Sequence, residues 1–173
     1  MLLDLIDLSK LRRAILYALL LAVIFAFQDL LLVHIPLLGV RALVIPAAVI
    51  AVGMFEGGAW GGVIGMAAGY FLDLGYTESL VFFTVTLTVI GFFTGVLGKF
   101  VLHRGFVTFL FLVLTALVLL TLLQMTRFLF FTETVSVRAV WRTGILQVLW
   151  SLPWSMVLYP PCKAVAARTL SSQ

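Results

Sequence analysis

The chain has 173 residues with a mean hydropathy of +1.24; 64% of it is hydrophobic and 10% is charged. A soluble domain cannot hide that much apolar surface, so the composition points to a polytopic integral membrane protein forming one domain over residues 1–173. The net charge of +4 gathers at the ends of apolar runs, which is a topology signal and not a nucleic-acid patch, and the lone Cys162 excludes an intrachain disulfide and a cysteine metal cluster.

Residues 1–13 read as a short amphipathic start, with Leu2, Leu5, Ile6 and Leu8 towards one side and Asp4, Asp7 and Lys10 largely on the other. The first span is expected at about residues 14–32. Lys10, Arg12 and Arg13 precede it, and the run is too long for a signal peptide and lacks a clear cleavage site, so it reads as an uncleaved anchor. Gln28 and Asp29 are polar positions near its far end. A connection follows with His34, Pro36 and Gly39.

The second span, about residues 42–55, is short for roughly 30 Å of hydrocarbon, and Pro46 removes a backbone donor in its first third. The chain is expected to turn at Glu56-Gly57-Gly58. The third span, about 58–74, belongs to the stretch GMFEGGAWGGVIGMAAGYFLD, in which Gly53, Gly57, Gly61, Gly65 and Gly69 recur at every fourth residue and Asp73 closes the series. Residues four apart share a helix face, so the spacing draws a ridge without side chains. Each interior glycine costs a soluble helix about 1 kcal/mol relative to alanine. In lipid, small residues at this spacing let two backbones approach, so the ridge reads as a packing surface.

The fourth span, about 80–101, carries Gly91, Gly95 and Gly98 as a natural mate for the first ridge; Thr84, Thr86, Thr88 and Thr94 are expected to return hydrogen bonds to backbone carbonyls. Lys99, His103 and Arg104 mark a basic loop. The fifth span, about 106–126, is almost entirely Leu, Val, Phe and Thr. Residues 127–142 read as a polar connection with a short interfacial helix, and the sixth span, about 143–159, is expected to stop at Pro160-Pro161.

Six spans place Lys10, Arg12, Arg13, Lys99, Arg104, Lys163 and Arg168 on one side and Arg41, Arg127, Arg138 and Arg142 on the other, which favours both termini in the cytoplasm. Asp29, Glu56 and Asp73 are the ionisable candidates, all near span ends. No Ser-His-Asp or Cys-His arrangement, HExxH motif or metal-ligand set is present, and no carboxylate pair sits at a separation suited to acid–base work. The expectation is a non-enzymatic protein without a cofactor.

The chain resembles the MreD family of the bacterial rod-shape system. The likeness is carried by Pro46 opening an apolar span, Glu56-Gly57-Gly58, the series Gly61, Gly65, Gly69, Leu72 and Asp73, and Gly91-Phe92-Phe93-Thr94-Gly95. Ala47 and the turn Thr77-Glu78-Ser79-Leu80 depart from the family's pattern. The resemblance implies an all-α bundle of six transmembrane helices in the inner membrane, similar in fold to the S components of energy-coupling-factor transporters. It also implies a scaffold that binds the membrane helix of MreC and, through it, meets MreB, RodA and penicillin-binding protein 2 in peptidoglycan synthesis. Carried onto this sequence, Gly57, Gly61, Gly65, Gly69, Asp73, Gly91, Gly95 and Gly98 would pack the bundle or receive MreC. The alternative is a vitamin-binding S component, with Asp29, His34, Arg41 and Glu78 at the outer face of its pocket.

Overall fold

The computed structural model describes residues 8–32, 40, 42–75, 81–100, 105–131 and 137–170. These form helices in the order α1 (Leu8–Phe27, extended by one π-helical turn, Gln28–Leu32), α2 (Ile45–Glu56), α3 (Gly58–Gly75), α4 (Phe82–Phe100), α5 (Phe106–Phe131) and α6 (Val137–Leu170). Six helices and an all-helical fold follow from six apolar runs with no alternating pattern among them. Among the described residues, one helix is long and apolar enough to cross a membrane on its own: α5, whose stretch Phe106–Thr126 has a mean hydropathy of 2.8. The apolar parts of α1, α2 and α4 are shorter.

α2 is the axis of the molecule. All of its residues from Ile45 to Phe55 are buried, as a helix that is apolar on every side must be. It touches each of the other five helices. At twelve residues it spans only about 18 Å, so its amino end, preceded by the buried non-helical residues 42–44, lies partway up the bundle. Pro46 sits in its first turn, where the missing N–H would have no helical acceptor.

The core continues from α2 into Tyr17 and Ile24 of α1, Ala68 of α3, Leu87 of α4 and Phe109, Val113, Leu117 and Leu120 of α5. Tyr159 of α6 joins it through the rings of Phe55, Phe106 and Phe109, at centroid distances of 6.0, 5.2 and 5.0 Å.

Three expectations need correction. Pro160 and Pro161 do not stop the last helix; α6 passes through Pro153, Pro160 and Pro161 and runs to Leu170. All three prolines lie on its exposed side, so their rings meet no neighbouring helix, while Tyr159, Cys162 and Ala166 on the opposite side stay buried. Residues 127–142 hold no separate interfacial helix among the described positions: α5 continues through Phe131 and α6 opens at Val137. Lys99 lies on α4 and not in a loop. The amphipathic start is described only from Leu8, which already belongs to α1, and His34, Pro36, Gly39, Arg41, Glu78, His103 and Arg104 lie outside the described residues.

Candidate functional site: a glycine-packed three-helix junction

α3 and α4 share the most extensive helix contact in the molecule, with α2 laid against both. Gly61 and Gly91 meet backbone to backbone. A Cβ on either would collide with the other's carbonyl oxygen; on Gly61 it would also come within 2.7 Å of Gly53 Cα, and on Gly91 within 2.8 Å of Val49 Cγ1. One turn further along α3, a Cβ on Gly65 would collide with the Leu87 carbonyl. On Gly69 it would collide with Thr84 Cα. Towards the other end of α4, a Cβ on Gly95 would collide with the backbone of Gly57 and Gly58. Gly53 of α2 closes the junction, 2.7 Å from both the Gly91 carbonyl and Thr94 Oγ1 when a Cβ is built on it.

The other two named glycines act differently. Gly98 faces Met54 less tightly, with Met54 Cα 3.3 Å from its built Cβ, a contact that a methyl group could make only if Met54 gave by a few tenths of an ångström. Gly57 has φ 102° and nothing within 4 Å of a built Cβ, so it is there for the turn. Its N–H donates to the Gly53 carbonyl at 2.8 Å and its carbonyl accepts from the Gly61 N–H at 2.9 Å, so the single residue joins two helices with hydrogen bonding kept on both sides.

Asp73 lies where the α3 ridge ends. Its Oδ1 accepts from the Phe83 N–H at 3.0 Å; its Oδ2 accepts from the Thr84 N–H at 2.8 Å and from Thr84 Oγ1 at 2.6 Å. The first turn of a helix has N–H groups with no helical acceptor and the positive end of the dipole. Asp73 therefore caps α4 from a neighbouring helix, with a charge that suits that end. Thr84 is used by this cap. The other three threonines return bonds along the helix, from Thr86 to the Phe82 carbonyl, Thr88 to the Thr84 carbonyl and Thr94 to the Gly91 carbonyl.

The amino end of α2 is closed the same way, by residues the sequence did not single out for the purpose. Gln28 Oε1, from the π-helical turn after α1, accepts from the N–H groups of Val44 at 3.0 Å and Ile45 at 3.2 Å. Ser151 Oγ of α6 accepts from the Leu43 N–H at 2.8 Å and donates to the Gln147 carbonyl at 2.7 Å. Gln28 is 7% exposed and Ser151 fully buried, which makes these bonds costly to lose. No spacing rule points to Ser151, because its partner lies more than a hundred residues away. At the other end of α2, Glu56 Oε1 accepts from the Tyr17 hydroxyl at 2.7 Å. Asp29 is exposed on the π-helical turn.

The arrangement is one for holding helices together. Among the described residues, no three His, Cys, Asp or Glu side chains gather as a metal set. A groove of about 240 Å³ lies between α5 and α6, lined by apolar side chains with Thr121 and Gly144. A comparison with protein-family models, with curated proteins and with solved structures finds no match to this chain.

Proposed function

We propose that the chain is a six-span protein of the bacterial inner membrane and acts as a non-enzymatic scaffold of the MreD kind, holding the membrane helix of MreC within the cell-elongation machinery that directs peptidoglycan synthesis. The observation that carries the reading is the junction of α2, α3 and α4, where backbones touch through Gly53, Gly61, Gly91 and Gly95. In water the hydrophobic effect holds helices together without such contact; in lipid, close packing and hydrogen bonding must supply the association. The outward faces agree. Val63, Met66, Tyr70 and Phe71 of α3, Val85, Val89, Phe92 and Phe93 of α4 and Ile15, Leu19 and Val23 of α1 are all about half exposed, an apolar surface of the sort that marks a membrane or partner contact.

The partner is proposed from the resemblance through Pro46, Glu56-Gly57-Gly58, the α3 glycines, Asp73 and Gly91 to Gly95. Since the glycine faces of α3 and α4 are taken up by each other, the reading assigns MreC to an outward apolar face and gives the glycine junction the task of keeping that face in shape. A scaffold predicts no turnover and no bound small molecule. The test is to purify the tagged protein in mild detergent from its own host and identify by mass spectrometry what accompanies it. MreC with no stoichiometric small molecule is the expected result. A vitamin or an energy-coupling ATPase would overturn the scaffold reading in favour of an S component.

A further inference from the structure

Among the described residues the two ends of the bundle differ in charge, and the basic end is built as an extension. The Tyr17–Glu56 hydrogen bond fixes the height of α1 against the carboxyl end of α2, and the packing of Tyr159 on Phe55 and Phe106 fixes that of α6. Phe27 meets Trp154 further up, so α1 and α6 run antiparallel. From that level α1 reaches back to Leu8, roughly 13 Å further, and α6 runs on to Leu170, roughly 16 Å further. Cys162 and Ala166 in the α6 part are each 2% exposed, so the extension is packed.

This end gathers Lys10, Arg12 and Arg13 at the start of α1, Lys99 at the end of α4, and Lys163 and Arg168 at the end of α6. Glu56 is the one acidic residue there among the described residues, and it is bonded to Tyr17; Asp4 and Asp7 lie outside them. The opposite end sets Arg127, Arg138 and Arg142 against Asp29 and Asp73.

We propose that the basic end is a seat for anionic phospholipid headgroups, bound through their phosphate diesters; the proposal rests on the membrane reading above. Two observations select lipid over another acidic partner. Exposed apolar side chains reach the same ends of the helices: Ile15 within a turn of the basic run on α1, Leu97 in the last turn of α4, and Phe106 and Val107 in the first turn of α5. Hydrocarbon bordering phosphate has that same order. The depth also fits. With the hydrocarbon edge taken at the Tyr17–Tyr159 level, Arg12, Arg13 and Lys163 lie roughly 6–8 Å beyond it, at a headgroup layer roughly 5–7 Å thick, and Lys10 and Arg168 roughly 11–14 Å beyond it, at the layer's outer side. Each basic residue at an anionic surface adds on the order of a fivefold preference.

The test reconstitutes the full chain in nanodiscs of three parts phosphatidylcholine to one of phosphatidylglycerol, transfers it to mild detergent and counts the lipids that stay bound by mass spectrometry. The wild type is expected to enrich phosphatidylglycerol at least about threefold over the nanodisc composition. Arg12→Gln with Arg13→Gln, and Lys163→Gln with Arg168→Gln, should each reduce the enrichment, while Arg138→Gln with Arg142→Gln, at the other end, should keep it. Circular dichroism checks that each variant stays helical. No enrichment in the wild type, or equal loss in the Arg138 and Arg142 variant, overturns the seat while leaving the membrane reading standing. Failure of the wild type to enter nanodiscs of any composition overturns both.

Discussion

A methyl group placed on the glycines one at a time should separate those that hold the backbones together from those that merely lie nearby. Gly91→Ala is the sharpest case. Its Cβ would collide with the Gly61 carbonyl oxygen and crowd Val49 Cγ1 at 2.8 Å. The first obstacle is backbone, which cannot rotate away, so α3 and α4 must part. Overpacking of this kind costs about 1–3 kcal/mol, against about 1 kcal/mol gained in helix propensity on replacing glycine by alanine. Gly62→Ala is the control. It is one residue from Gly61, is also buried, and its Cβ would rest 3.7 Å from Phe92 Cβ in ordinary contact. Gly98→Ala, with 3.3 Å to Met54 Cα, is an intermediate case in which Met54 must give by a few tenths of an ångström. Gly62→Ala keeps the propensity gain without a clash. The gap between Gly91→Ala and Gly62→Ala is then about 1–3 kcal/mol, or about 2–12 °C in midpoint for a chain of this size. The protein carries its own reporter, since its one cysteine, Cys162, is free and 2% exposed. A thiol-reactive dye added during a thermal ramp in mild detergent reads the exposure of that residue. Equal midpoints for Gly91→Ala and Gly62→Ala would refute the claim that backbone contact at Gly61 and Gly91 holds α3 to α4.

The same assay reads the helix caps. Asp73→Ala removes the acceptor for three hydrogen bonds at the start of α4 and should lower stability by about 1–3 kcal/mol, whereas Asp73→Asn keeps an acceptor and should lose less. Gln28→Leu strands the N–H groups of Val44 and Ile45 and is expected to cost about 1–3 kcal/mol or more; a midpoint unchanged within error would mean that water reaches the amino end of α2. Tyr17→Phe removes the bond to Glu56 and should cost about 1 kcal/mol.

The helices were legible wherever an apolar run met a strong local signal. The turn falls at Gly57, where the sequence puts Glu56-Gly57-Gly58, because a residue at φ 102° favours glycine. The third and fourth helices start within two residues of expectation. The local cost of Pro160 and Pro161, taken alone, ends the last helix too early. That cost is borne where the rings face outward and Tyr159, Cys162 and Ala166 bury the other side. The glycine series had the right period, but period does not tell Gly61 from Gly62: one touches the Gly91 backbone and the other has space. Gly57 and Gly98 share the spacing without sharing the contact. Asp73 stood out by position, yet its partners Phe83 and Thr84 lie on the next helix, beyond the reach of any local rule.

The two devices at the centre of the molecule answer one physical problem. α2 is buried on every side and ends partway up the bundle, so its amino end has no bulk water to satisfy it and no side-chain cap of its own, Val44 being the residue in that place. Gln28 and Ser151 supply the acceptors, one from the turn that extends the preceding helix and the other from α6, more than a hundred residues further along the chain. An unpaired N–H at such a site costs about 1–3 kcal/mol, so moving α1 or α6 away from α2 exposes that cost as surely as parting α3 from α4 breaks the glycine contact. Glycines therefore fix α2, α3 and α4 to one another through shape, and the polar caps fix α1 and α6 to α2 through unmet hydrogen bonds. Among the described residues α5 shows neither device in its contact with α2; the side chains it buries, Phe109, Val113, Leu117 and Leu120, are apolar. An apolar contact of that kind loses the least when hydrocarbon replaces protein, so in a bilayer the hold of α5 on the bundle rests on α6, where Gly144 lets Thr121 approach closely and Tyr159 meets the rings of Phe106 and Phe109.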